Sequence, residues 1–410
     1  MKILLINKYH FLKGGAERAY FDMAEMLEAH GHEVAFFSMK HPKNIPTRWE
    51  KYFVENVEYQ DDQQSLFRRI ALAMKILFNF EAQHNMERLI EEFRPDIVHV
   101  HNIYHQLSPS LFGPIRKRGI PIVMTLHDYK LVSPNYSLFV RGKIWEHASG
   151  FRCIADRCVK DSYMKSIVCA FEQWLHMILR SYDAVNVFVA PSRFLIDEFY
   201  KLGFRHKITY LPNPLIEETE NRNMETSLKK EKGTVLFFGR LSVEKGVETL
   251  IEAMALVPEK RLWIVGDGPD RNQLEKLVET LGLADRVVFF GSKYGEELES
   301  FRQRAQIIVI PSVWFENFPY VLIESLRSGA AVIASDLGGM AERIRHGENG
   351  FLFEAGNVSA LASLLGSLDE SKLSVVREHA KESVADLTEA SFFRKLSEIY
   401  EKLLSGTCCR

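Results

Sequence analysis

Glu316 and Glu324 stand eight positions apart in the run Pro-Ser-Val-Trp-Phe-Glu-Asn-Phe-Pro-Tyr-Val-Leu-Ile-Glu-Ser-Leu-Arg-Ser-Gly, residues 311 to 329. A second run, Gly239-Arg240-Leu241-Ser242-Val243-Glu244-Lys245-Gly246, adds a planar guanidinium and a mobile ammonium. Both cations suit phosphate oxygens. In a dry cleft they would stabilise a diphosphate that gathers charge as a bond to it breaks. No Asp-x-Asp pair occurs in the chain, so the usual carboxylate anchor for a Mg or Mn ion is missing. Arg240 and Lys245 are therefore expected to do the metal's work, and no divalent metal or other cofactor is expected.

The elements around these residues decide where they point. Ile307 to Ile310 reads as a buried strand, Pro319 suits the first turn of a helix, and Gly329 suits its end. Glu316 then precedes the helix and Glu324 lies inside it, roughly 7 Å from its mouth at about 1.5 Å per residue. An anion held at the helix N-terminus would leave Glu324 beside whatever follows it; in a nucleotide sugar that neighbour is the ribose. Leu322, Ile323 and Leu326 mark the helix as largely buried, which argues against a merely exposed charge at Glu324. Gly14 and Gly15 sit between a strand and a helix starting near Ala16, where absent side chains permit close backbone approach to phosphates. His127 closes another strand, and its reading is substrate positioning or proton handling.

His99 and His101 alternate onto one strand face, but no third ligand is evident for a metal. Cys153, Cys158 and His147 likewise fall short of a four-ligand zinc site. Gly266-Asp267-Gly268-Pro269 imitates a dinucleotide fingerprint, yet Arg271 occupies the sixth position, so it reads as a turn distant from the phosphates.

β-rich runs alternate with helical patterns twice over: Ile3 to Ile6, Val34 to Phe37, Ile97 to Val100, Ile122 to Leu126 and Val185 to Val189, then Val235 to Phe238, Leu262 to Val265, Val287 to Phe290, Ile307 to Ile310 and Val332 to Ala334. This is the pattern of two doubly wound parallel α/β domains, as 410 residues with 46% apolar content allow. The polar stretch Pro212 to Lys232 connects them, with the hinge near Leu211 to Asn213 and the site in the cleft between domains. Residues 1 to 190 carry 24 Lys and Arg against 21 Asp and Glu, and the remainder 28 against 33. The net charge of −2 gives no argument for nucleic-acid binding. No run reaches the roughly 18 apolar residues of a membrane span, and the N-terminus does not read as a signal peptide. Five cysteines, an odd number, agree with a reducing, cytoplasmic setting and no structural disulfide.

The spacing of Glu316 and Glu324 resembles the E-x7-E element of retaining glycosyltransferases of the GT-B architecture, family 4. Gly239 to Gly246 is similar to that family's strand-end Gly-Arg and Lys-Gly signature, Gly338-Gly339-Met340-Ala341-Glu342 with Gly347 and Gly350 to its closing segment, and Gly14-Gly15-Ala16-Glu17-Arg18 to its first glycine loop. The resemblance implies a GT-B fold of two Rossmann-like domains: 1–211 on the acceptor side, with an insertion and helical region at 133–180; 212–390 binding a nucleotide sugar; and 391–410 as a helix crossing back. It implies catalytic roles for Glu316, Arg240, Lys245 and His127. Donor contacts would come from Gly14, Gly15, Asn317, Phe318, Tyr320, Glu324 and Lys293, and acceptor-side contacts from His101, Asn102 and Arg18. The donor would be a nucleotide diphosphate sugar and the acceptor a saccharide or lipid-linked saccharide of surface polysaccharide synthesis. A nucleotide-sugar epimerase of the same architecture, or a non-catalytic sugar-nucleotide-binding subunit, is the alternative. Phe67 to Phe80, with Arg68, Arg69 and Lys75, and Tyr163 to Leu179 are apolar helices edged with basic residues. They read as core helices, with peripheral contact at the inner face of the cell membrane as the other reading.

Overall fold

The computed structural model describes residues 1–56, 75–216 and 229–406. Its frame is two parallel sheets. The first uses β1 (Lys2–Ile6), β2 (Glu33–Phe37), β3 (Ile97–Val100), β4 (Ile122–Thr125), β7 (Val187–Ala190) and β8 (Ile208–Tyr210) in the order β2-β1-β3-β4-β7-β8. A small antiparallel hairpin, β5 (Phe139–Val140) with β6 (Lys143–Ile144), lies outside it. The second uses β9 (Glu231–Phe238), β10 (Arg261–Val265), β11 (Val287–Gly291), β12 (Ala305–Ile310), β13 (Ala331–Ser335) and β14 (Phe351–Phe353) in the order β11-β10-β9-β12-β13-β14. That is the doubly wound order, which reverses between β9 and β12 and opens a crevice at their carboxyl ends.

The strands are apolar on both faces because helices cover both. Ile3, Leu4, Leu5 and Ile6 are all fully buried, and Ile3 registers with Val34 on one side and Ile97 on the other. β8 and β14 have three residues each, too few to show a period, and the sequence pattern did not reveal them. The helix Glu389–Leu404 returns to the first sheet, where Phe392, Leu396 and Tyr400 pack against Ile3, Leu5 and Val123. Both chain crossings run side by side, since Leu215 bridges Thr388 and its N–H donates to Leu387 O at 2.7 Å.

Two expectations are corrected in the insertion. Cys153 and Cys158 form a disulfide. The turn after the helix Gly150–Ala155 brings their Cα atoms to 4.8 Å, with Cys158 N–H donating to Cys153 O, so pairing is set by local geometry and not by the parity of the cysteine count. The helix Tyr163–Ile178 is not a core helix. Its buried residues are Ser166, Ala170, Glu172 and His176, whereas Met164, Ile167, Phe171 and Ile178 are exposed. The cause is an internal ion pair: Lys130 Nζ lies 2.9 Å from Glu172 Oε2, and both side chains are buried. The polar face therefore turns inward. Most of Phe67 to Phe80, including Arg68 and Arg69, together with 217–228 of the connection and Cys408 and Cys409, lies outside the described residues.

Candidate active site

Lys245 and the first carboxylate meet where β9 and β12 end, and Arg240 stands earlier in the same loop. Gly246 adopts φ 64° and comes so close to β12 that a Cβ there would lie 2.0 Å from Pro311 O, and Val313 N–H donates to Glu244 O. This clamp brings Lys245 Nζ to 2.6 Å from Glu316 Oε1. Ser312 Oγ donates to the same oxygen at 2.9 Å. Burial raises the Glu316 pKa, but the Lys245 charge and the hydrogen bonds from Lys245 and Ser312 more than reverse that, holding the carboxylate ionised below its usual range. Arg240 is exposed and forms no hydrogen bond or ion pair among the described residues. A cavity of about 270 Å³ opens beside this loop, lined by Ser242, Gly246, Thr249 and Asp270 and by Gly142 at the hairpin tip.

The Gly266-Asp267-Gly268-Pro269 turn packs directly on the loop that carries Arg240. Leu241 N–H donates to Asp267 O at 3.0 Å, and a Cβ at Gly266 or Gly268 would lie 1.8 Å from Gly239 O or 2.2 Å from Leu241 O. The turn is the support on which the Arg240 loop rests. Gly338 and Gly339 do the same for the Glu316 loop: Gly339 N–H donates to Glu316 O at 2.6 Å, and its Cβ would lie 1.8 Å from Asn317 O.

Glu324 sits in the helix Tyr320–Arg327 and is buried. Arg302 Nη1 donates to its Oε2 at 2.7 Å, and Arg18 Nη1 from the first domain bonds to its Oε1. Arg302 escaped the sequence reading because only the packing of the helix Gly295–Arg304 reveals it. Arg18, expected on the acceptor side, instead crosses the cleft and places its guanidinium 4.6 Å from the Tyr320 ring centre. Asn317 also spans the cleft: its Oδ1 accepts from Tyr129 Oη and its Nδ2 donates to His127 O, both at 2.6 Å. Glu342 Oε2 accepts from the N–H groups of Arg193 and Phe194, at the N-terminus of the helix Arg193–Lys201.

Other candidates fall less directly at the cleft. Phe318 is buried with Leu322 and Leu326, which leaves its backbone for a ligand. Lys293 pairs with Glu297 of the helix Gly295–Arg304. His101 is fully buried, with Nδ1 2.8 Å from His127 Nε2, and Asn102 is nearly so, its N–H bonded to Asn7 Oδ1. Burial lowers the pKa of His127 to about 3, with Lys8 adding to the effect. Gly14 is extended at φ −171°, and a Cβ on Gly14 or Gly15 would meet nothing closer than Glu17 Oε2 at 3.8 Å or Tyr320 Cδ2 at 3.7 Å. Among the described residues, no cluster of three His, Cys, Asp or Glu is placed to hold a metal.

Two facing doubly wound domains, with cations and carboxylates gathered at the crevice of the second, define a glycosyltransferase of GT-B architecture. Residues 13–218 match the family model described as Glycosyltransferase Family 4, and residues 218–383 match Glycosyl transferases group 1, so the chain belongs to the family 4 glycosyltransferases. It is 33% identical over 305 residues to the Arabidopsis thaliana sulfoquinovosyl transferase SQD2, a match spanning 72% of this chain and 54% of that protein. Sucrose-phosphate synthase from Thermosynechococcus elongatus superposes with a TM-score of 0.72 at 20% identity, covering 99% of both chains. Anabaena HepE in complex with UDP-glucose superposes with a TM-score of 0.61 at 18% identity, covering 98% of this chain and 100% of that one.

Proposed function

We propose that the protein transfers a sugar, with retention of anomeric configuration, from a nucleotide diphosphate donor to a saccharide or lipid-linked saccharide of a surface polysaccharide. The observation that carries this reading is the Lys245–Glu316 pair at the ends of β9 and β12, with the exposed Arg240 in the same loop as Lys245. Arg240 and Lys245 hold the diphosphate and stabilise the charge it acquires on leaving. Glu324, whose oxygens each keep a lone pair beyond their arginine bonds, accepts from the ribose hydroxyls. Glu316 faces the donor sugar and favours a developing oxocarbenium ion. Gly14 and Gly15, which neither backbone strain nor packing requires to be glycine, leave space for the phosphates opposite Tyr320. A neighbour in fold is named for its complex with UDP-glucose, which supports a nucleotide sugar as donor.

Because two cations stand ready at the leaving group, transfer proceeds without a divalent metal. The test is transfer from a panel of UDP- and GDP-sugars in excess chelator, preceded by thermal shifts to find which donor binds. Activity abolished by chelator and restored by Mg or Mn would contradict the cation mechanism. Donor epimerisation or hydrolysis with no transfer to any saccharide would favour the epimerase reading. Glu316→Gln is expected to fold, bind nucleotide diphosphate and lose most transfer.

The acceptor reading extends to the outward face of the helix Tyr163–Ile178. Among the described residues no helix is long and apolar enough to cross a membrane. Yet Met164, Ile167, Phe171 and Ile178 share one exposed stripe, and residues 141 to 183 carry seven Lys and Arg against five acidic residues, of which Glu172 is spent internally on Lys130. This face docks the enzyme on anionic lipid at the inner side of the cell membrane. Sedimentation with phosphatidylserine vesicles should fall as the Debye length shrinks from about 10 Å at 0.1 M salt to about 3 Å at 1 M, and Ile167→Glu with Phe171→Glu should abolish it. Absence of binding at low salt would refute docking and leave the transferase reading intact.

A further inference from the structure

Glu324 holds two arginines of unlike origin. Arg18 reaches its Oε1 from the first domain with a half-buried side chain, so that bond depends on how the two domains stand. Arg302 reaches its Oε2 at 2.7 Å from the helix Gly295–Arg304 of the second domain, the domain of Glu324 itself, and both side chains of this pair are buried. The second bond therefore persists whether the cleft is open or closed.

Arg302 is in turn held from behind. Its Nε and Nη2, which share one edge of the planar guanidinium, lie 2.8 Å and 2.6 Å from Glu299 Oε2. Glu299 stands one turn earlier on the same helix, and its Oε1 accepts from Gln303 Nε2 at 3.1 Å. The guanidinium carbon sits 5.6 Å from the centre of the ring of Phe238, the last residue of β9, and Lys230 Nζ donates to the Arg302 carbonyl at 3.2 Å. With one edge fixed by Glu299 and one face over Phe238, the rigid fork can aim Nη1 in only one direction. A buried ion pair is weak evidence of stabilisation, because apolar side chains of similar volume often serve a fold as well or better. What the line Glu299–Arg302–Glu324 supplies is orientation: a glutamate without it has several staggered rotamers open to its carboxylate.

We propose that Arg302 is a positioning residue for the donor nucleotide: it fixes the Glu324 carboxylate in the orientation that accepts the ribose hydroxyls, and it does so independently of Arg18. Arg302 acts through Glu324 and does not itself touch the nucleotide. This role rests on the reading of Glu324 as the ribose acceptor, and it adds the reason that the second domain can select ribose before the first domain closes on it. Preorganisation of this kind, a binding side chain locked by a second one behind it, is what holds a site to productive geometry.

Calorimetric binding of a nucleoside diphosphate, chosen by thermal shift from UDP, GDP, ADP and CDP, tests the role when compared with the same nucleotide lacking both ribose hydroxyls. The parent protein should prefer the ribose form by on the order of tenfold or more, the scale of hydrogen bonds to a charged group. Arg302→Met should bind the ribose form more weakly and the dideoxy form as before, so that the preference collapses. Arg302→Lys keeps the charge but cannot hold Glu299 and Glu324 in one plane; it should lose most of the preference with a melting temperature near that of the parent. Glu299→Gln should lose part of it, and these two variants carry the test if Arg302→Met does not fold. Full preference retained in folded Arg302→Lys and Glu299→Gln, or equal weakening of both nucleotide forms, would overturn the positioning role and leave the donor reading standing. A parent protein that binds none of the four nucleotides, or binds one without regard to its ribose hydroxyls, would overturn the reading of Glu324 and this proposal with it.

Discussion

The two sides of the cleft use glycine for opposite reasons. On the second-domain side, Gly246, Gly266, Gly268 and Gly339 all press against backbone, with Cβ positions falling 1.8 to 2.2 Å from carbonyl oxygens. These glycines exist so that loops can stack on one another and hold Arg240, Lys245 and Glu316 in place. On the first-domain side, Gly14 and Gly15 press against nothing, and Gly14 has an extended backbone that any residue adopts. The folded chain itself does not exclude a side chain there. A motif glycine can thus be read as scaffold or as ligand space according to what its missing Cβ would touch.

The comparison breaks first at the glycines. Gly339→Ala should prevent folding of the second domain or lower its melting temperature beyond recovery, because a methyl group 1.8 Å from Asn317 O has no room without moving the Glu316 loop. Gly15→Ala should leave the melting temperature of the free protein within a degree or two and weaken binding of a nucleotide diphosphate. Equal loss of stability in both variants would erase the distinction.

Acid offers a second separation, because the histidines with strongly lowered pKa all belong to the first domain. Burial sets His10 and His176 to about 4 and His99 and His127 to about 3. Each folded value lies below the unfolded value of 6.5, so the unfolded chain binds more protons and stability falls as pH drops below 6.5. The penalty approaches about 1.4 kcal/mol per pH unit for each such histidine. Calorimetry between pH 7 and pH 5 should therefore show the first domain unfolding at progressively lower temperature, with the second-domain transition moving less. A flat melting profile over that window would contradict neutral burial.

How legible the cleft was follows the same divide. The strands carrying the site are apolar runs at regular spacing, and a two-domain doubly wound reading needs nothing more; the three-residue β8 and β14 and the two-residue β5 and β6 escaped. Glu316 before the helix and Glu324 within it were legible because strand end and helix are adjacent in sequence, whereas the Lys245–Glu316 contact joins residues 71 apart. Arg302 and the crossing of Arg18 to Glu324 were hidden because they depend on packing between elements about 300 residues apart in one case and between adjacent helices in the other. The helix Tyr163–Ile178 misled for a physical reason: a buried Lys130–Glu172 pair reversed the face that hydrophobicity selects.

Catalysis gives the third test, smaller in energy than a failure to fold. Arg240→Ala or Lys245→Ala should lower turnover by on the order of 10² or more, since each removes charge from the leaving diphosphate. The bare nucleoside should bind nearly as before. Lys245→Ala carries an added signature, because Glu316 would lose the cation that holds its pKa down and burial would then push it upward. The activity remaining in that variant should rise with pH over a range where the parent enzyme is flat. A parallel pH profile in both would separate Lys245 from Glu316.

The smallest effect is expected at Cys153–Cys158, and it tests whether the first-domain lip is assembled independently of the donor side. The loop it closes spans a sequence separation of only 5, so the entropy it removes from the unfolded chain is limited, on the order of 2 kcal/mol. That stabilisation is local. Asn135 Nδ2 donates to Cys158 O at 2.6 Å, and the neighbouring Tyr136 accepts through its backbone from Tyr129, whose hydroxyl reaches Asn317. Replacing both cysteines by serine should make residues 133 to 162 more sensitive to limited proteolysis while nucleotide diphosphate affinity and the second-domain transition stay unchanged. The Arg240, Lys245 and Glu316 loops are held by their own glycine contacts and make no use of the disulfide. Loss of donor affinity in the double serine variant would show that the chain of contacts through Tyr129 and Asn317 carries more of the donor site than its own loops do.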